Sequence, residues 1–160
     1  MYKTRNDLPE QVRTKIIDLL NARLADAIDL QTQMKQAHWN VKGPQFIALH
    51  KLFDEINEEV EDYVDDLAER AVTLGGVALG TARAVAKKSQ LADYPLQIAS
   101  GHDHVEAVAT ALATFGKAVR QAIDAGDELR DRDTADLFTE ISRGIDKWLW
   151  FVESHLQADR

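Results

Sequence analysis

Apolar residues recur at helical spacing along most of the chain, and they divide it into four long segments. From Asp7, which can cap a helix with Glu10 three places on and Pro9 in the first turn, they fall at Val12, Ile16, Leu20, Leu24, Ile28 and Met34. After Gly43, Pro44 can open a second helix, in which Phe46, Leu49, Phe53, Ile56, Val60, Tyr63, Leu67, Ala71 and Leu74 alternate three and four apart until Gly75-Gly76. A third stripe runs through Val105, Val108, Leu112, Phe115, Val119 and Ile123 before Gly126. The fourth follows Asp133-Thr134 with Phe138, Ile141, Ile145, Leu149, Val152 and Leu156. No segment alternates in the manner of a strand.

The first two helices are joined tightly, as are the last two, so each pair is expected to fold back as an antiparallel hairpin. The connection from Gly75 to Ser100 is longer and holds a short helical stretch around Arg83 to Lys88 and a Tyr94-Pro95 turn. Its length suits a crossover along the side of a bundle. The expected fold is therefore all-α, a ferritin-like four-helix bundle over residues 7–157, with a short helix on the crossover and a short arm at 1–6.

Composition narrows the chemistry. A chain of 160 residues, 45% hydrophobic, suits one domain with a core. It has no cysteine, so a metal would be held by His, Asp and Glu. A formal charge of -8 repels polyanions on average. No signal-like start and no run of about 18 apolar residues is present, which makes a cytoplasmic location the default and excludes a helical membrane span.

Two clusters carry candidate chemistry. His38 and His50 stand on either side of the Gly43-Pro44 turn and should meet at one level of the first hairpin. Asp54 follows His50 by four and shares its face. Further along, Asp65 and Glu69 repeat the four-residue spacing on that same face. Eleven residues of helix put Asp54 and Asp65 roughly 16 Å apart, too far to share one ion. An antiparallel second copy packed near residues 59 and 60 would close the gap, with His38, His50 and Asp54 from one subunit and Asp65 and Glu69 from the other. Mixed imidazole and carboxylate ligands suit redox-active iron, with zinc or manganese as alternatives. The residues alone leave a plainer reading open: helix-end histidines as caps, the acidic pair as solvated surface, and Asp66 as able to serve for Asp65. His102 and His104 read as first-turn residues of the third helix and His155 as a C-terminal dipole partner.

The segments "HWNVKGPQFIALHKLFD" and "VDDLAERAVTLGGVA", with "YPL", "DTAD" and "DKWLWFVES" further on, resemble the Dps family of mini-ferritins from Tyr2 to about His155. The resemblance implies a hollow homo-dodecamer built from two-fold dimers. Its intersubunit ferroxidase centres would oxidise ferrous iron, preferably with hydrogen peroxide, and store it as ferric mineral. The positions that match the family's ligands are His38, His50, Asp54, Asp65 and Glu69. Trp39 is a motif position as well, with packing beside the site as its plainer role. The family lines a three-fold iron-entry pore with aspartates from the neighbourhood of "GDELRDRDTAD", which points to Asp136 and Asp133, while Asp127 and Asp131 lie beside Arg130 and Arg132. DNA-condensing members carry Lys-rich tails. Here only Lys3 and Arg5 precede Asp7, so DNA binding is expected to be weak or absent at physiological salt.

Overall fold

The structure, a computed structural model, describes residues 1–158. Its helices are α1 (Glu10–Asn40), α2 (Phe46–Thr73), α3 (Ala82–Lys88), α4 (Gly101–Glu128) and α5 (Arg132–Glu153). No strand forms among the described residues, and Lys42 and Ser100 make an isolated parallel bridge. The four apolar stripes meet in one core, where Leu20, Leu24, Phe53, Ile56, Phe115, Phe138 and Ile145 are fully or almost fully buried. Helices α1 and α2 pack as one hairpin and α4 and α5 as the other, while α1 touches α4 and α2 touches α5.

Helix α2 begins at Phe46, past Pro44, and three further helix ends differ from the sequence expectations, each for a local reason. Asp7 does not cap α1. Pro9 takes the N-cap position without a side-chain hydrogen bond, and the turn before it is held by Asn6, whose Oδ1 accepts from the Leu8 amide. Helix α4 does not stop at Gly126 but passes through it to Glu128. That glycine is buried where α4 approaches α5, and a Cβ there would lie 3.2 Å from the Ala135 amide nitrogen, so it serves close packing. The left-handed position falls instead on Arg130, with φ at 60°, and the Asp131 amide returns to the Gly126 carbonyl. Asp131 then caps α5, accepting from the Thr134 amide at 3.2 Å, so this helix begins before Asp133. Helix α2 ends as expected: Gly75, with φ at 87°, takes the left-handed position, and the Gly76 amide bonds to the Ala71 carbonyl.

The crossover follows α1 because α1 carries a row of polar anchors. Asn21 donates to the Val77 carbonyl and accepts from the Leu79 amide. Asp26 accepts from the Gln90 amide, Asp29 from the Ser89 hydroxyl, and Gln33 donates to the Ala92 carbonyl. Asp26, 1% exposed, also pairs with Arg23 at 2.8 Å. Burial is the larger influence on its carboxyl and raises its pKa.

Candidate metal centre

The α1–α2 turn brings His38 and His50 face to face, their rings stacked with centroids 3.7 Å apart. Each ring is fixed by the other residue's backbone. His38 Nδ1 donates to the His50 carbonyl at 2.7 Å, and His50 Nδ1 donates to the His38 carbonyl at 2.8 Å. A carbonyl only accepts, so both Nδ1 atoms carry a proton, and a neutral ring in this tautomer keeps its lone pair on Nε2. This is the arrangement in which imidazole binds a cation, with the other nitrogen anchored.

Asp54 lies beside this pair, its Oδ1 3.8 Å from His38 Nδ1. It is already partnered: Lys35, one turn before His38 on α1, reaches the same oxygen at 2.6 Å. That hydrogen bond, with help from the nearby imidazoles, holds the Asp54 carboxyl below the usual aspartate range. The sequence reading missed Lys35, although its spacing of three from His38 on the same helix was the available signal. The expected grouping of His38, His50 and Asp54 is present as neighbours. Among the described residues, however, no three His, Asp or Glu side chains of one chain are grouped to hold a metal ion.

Asp65 and Glu69 remain further along α2, both exposed, and are not brought to the histidines. Asp65 lines a depression of about 490 Å³ together with Glu59, Asp62, Tyr63, Asp66 and Glu140. Tyr63, 7% exposed, donates to Glu59 from within it. Burial, reinforced by that carboxylate, raises the phenol's pKa far above its ordinary value. Trp39 is 67% exposed in the single chain and, with Phe46 and Ile47, leaves an apolar rim near the imidazoles.

Asp133 and Asp136 are exposed near the start of α5, with Asp133 Oδ2 3.9 Å from Arg70. Asp131 is 2% exposed and belongs to the helix junction, bonded to Arg70 at 2.8 Å and to the Thr134 hydroxyl at 2.6 Å, so it is no pore residue. His104 lies in the first turn of α4 as expected but is 1% exposed. Its Nδ1 is 2.7 Å from the Tyr94 hydroxyl and its Nε2 has no partner.

Two hairpins, one long crossover carrying a short helix and a face of imidazoles and carboxylates define a ferritin-like protein, and the ferritin-like domain family matches residues 17–160. Within that class the chain belongs to the Dps family. It is 47% identical to the DNA protection during starvation protein of Agrobacterium fabrum over 98% of this chain and 96% of that relative. Among solved structures it superposes on Mycobacterium smegmatis Dps with a TM-score of 0.94 at 31% identity, covering 99% of this chain and 95% of the other. DpsA14 from Streptomyces coelicolor gives 0.93 at 33% identity, over 98% and 92%.

Proposed function

We propose that the protein is an iron-storing and iron-detoxifying mini-ferritin. It oxidises ferrous iron, preferably with hydrogen peroxide, and keeps the ferric product as mineral inside a dodecamer. The ferroxidase centre is shared across a two-fold axis: His38, His50 and Asp54 of one protomer face Asp65 and Glu69 of the partner subunit. The observation that carries this reading is the mutual anchoring of the two Nδ1 atoms, which leaves two adjacent Nε2 lone pairs for a metal. The division of the donors along α2 supports a shared site, since one chain cannot bring both groups to one ion. The exposed rim of Trp39, Phe46 and Ile47 gives a second copy an apolar surface to cover.

At such a site this chain's own groups orient the substrate. The imidazoles supply neutral nitrogen donors, the carboxylates balance the positive charge, and Lys35 gives up Asp54 as iron arrives. Two ferrous ions held together let peroxide take two electrons in one encounter and leave as hydroxide or water, without a free hydroxyl radical. Asp133 and Asp136, repeated around a three-fold axis, would draw cations inward. Purified shells should oxidise ferrous iron with peroxide, and an Asp65→Ala, Glu69→Ala double variant should do so about 10- to 100-fold more slowly. Equal rates would remove the carboxylates from the centre.

The relatives' name points to DNA, and we place the protein in the cytoplasm, where it could act beside the nucleoid. Direct DNA binding is nevertheless expected to be weak or absent. The chain carries a net charge of -8, and its short arm is tied down, with the Tyr2 amide bonded to the Gly75 carbonyl at 2.7 Å. A tight gel shift at about 0.15 M salt would overturn this.

A further inference from the structure

Asn57 follows Asp54 by three residues on α2, about one helical turn further along the same face. Its side chain is 8% exposed, and among the described residues its buried Oδ1 has no hydrogen-bond partner. A buried amide oxygen left without a donor destabilises a fold, and an apolar side chain of the same size would fill the place without that cost. Asn57 faces a cavity of about 740 Å³ between α1, α2 and the crossover, which Lys35, Trp39 and Leu96 also line. The cavity reaches the proposed centre, because Lys35 Nζ holds Asp54 Oδ1 at 2.6 Å and Trp39 follows His38 directly. The other buried polar side chain on its wall is already spent. Gln33 donates to Asp29 and to the Ala92 carbonyl, both at 3.1 Å. Asn57 is therefore the buried polar group placed to bind whatever enters.

We propose that this cavity is a vestibule for the oxidant, in which Asn57 binds hydrogen peroxide and acts as a positioning residue for the ferroxidase reaction. The inference rests on the ferroxidase reading above. The amide offers Oδ1 as an acceptor and Nδ2 as a donor, and each hydroxyl of peroxide can answer either. Dioxygen has no hydrogen to donate, so it leaves Oδ1 unbonded. The side chain thus separates the two oxidants by a hydrogen bond that only one of them can make. Peroxide held a turn from Asp54 is next to the place where two ferrous ions would sit. Each ferrous ion gives one electron, the O–O bond breaks, and two hydroxides leave beside two ferric ions. Asn57 keeps its own protons throughout.

The test replaces Asn57 by leucine, which is close to it in volume and offers no hydrogen bond. In stopped-flow assays with saturating ferrous iron, Asn57→Leu should raise the KM for peroxide about 3- to 10-fold, the range of one neutral hydrogen bond, with kcat changed by under about twofold. The preference for peroxide over dioxygen at low oxidant concentration should fall by the same factor. The variant shell should melt no earlier than wild type, since an unbonded buried acceptor has been removed. An unchanged KM overturns the proposal, and so does an earlier melting transition, which would assign Asn57 to holding the assembly together. Crystals of the metal-free protein soaked in hydrogen peroxide give a reading independent of iron. Wild type should show two-atom density within hydrogen-bond distance of Asn57, absent from Asn57→Leu. No density there in wild type, or a side chain of the partner subunit already bonded to Oδ1, overturns the inference. A protein that oxidises no iron with peroxide sinks the ferroxidase reading and leaves the soaked crystals to decide on Asn57.

Discussion

His38 and His50 hold each other in place through their backbones: each Nδ1 donates to the other residue's carbonyl, at 2.7 and 2.8 Å. The exchange locks the turn between α1 and α2 and sets both tautomers at once. His38→Ala should therefore do more than delete one donor, because the His50 ring loses its stacking partner. We expect peroxide-driven iron oxidation to fall by about 10- to 100-fold, with the helical content unchanged, as stopped-flow absorbance and circular dichroism would show.

Lys35 occupies the carboxylate that the proposed centre assigns to iron. Its ion pair with Asp54 is partly exposed, so it should oppose metal binding by at most about 1 kcal/mol. Lys35→Met keeps the length of the stem and removes the charge. Anaerobic titration should show ferrous iron bound up to about fivefold more tightly by that variant, and a weaker affinity would show that Lys35 assists the site.

A centre divided between two subunits can be complemented. His38→Ala and Asp65→Ala, Glu69→Ala shells should each be slow, yet after joint dissociation and reassembly the mixture should recover about a quarter of wild-type activity. Half of the random dimers would be mixed, and one of the two sites in each would be intact. No recovery from a fully reassembled mixture would mean that each chain carries its own centre.

His104 adds a sensitivity to mild acid. Burial pushes its pKa below the ordinary 6.5, because the charged ring would stand almost without water beside Tyr94. The unfolded chain therefore binds a proton, and the native protein does not, between the lowered native value and 6.5. Stability should fall as pH drops through that window and recover as it rises. Comparing urea unfolding of wild type and His104→Gln between about pH 7 and 5 should show a smaller pH dependence in the variant. Parallel curves would place the acid sensitivity elsewhere.

Much of the fold was legible because period and punctuation agree. The apolar steps of three and four on α2 and the Gly75-Gly76 stop led directly to the helix observed. Gly126 shows the limit. A glycine near the end of an apolar stripe reads as a terminator, yet this one is there because Ala135 of α5 comes too close for a side chain. Asp131 was likewise one acid among several in "GDELRDRDTAD", and only packing against Arg70 separates it from the exposed Asp133 and Asp136.

The sequence by itself determined the four-helix plan, the level at which His38 meets His50, and the separation of Asp65 and Glu69 from them, since each follows from helical pitch and one short turn. The tertiary structure alone decided that both Nδ1 atoms are spent on backbone carbonyls, that Lys35 sits on Asp54, and that Glu59 receives Tyr63 and Lys147 together. Apart from the Tyr63–Glu59 step, which lies within α2, those relations join residues on different helices. Their geometry depends on how closely and in what rotation the helices pack, which local spacing does not encode.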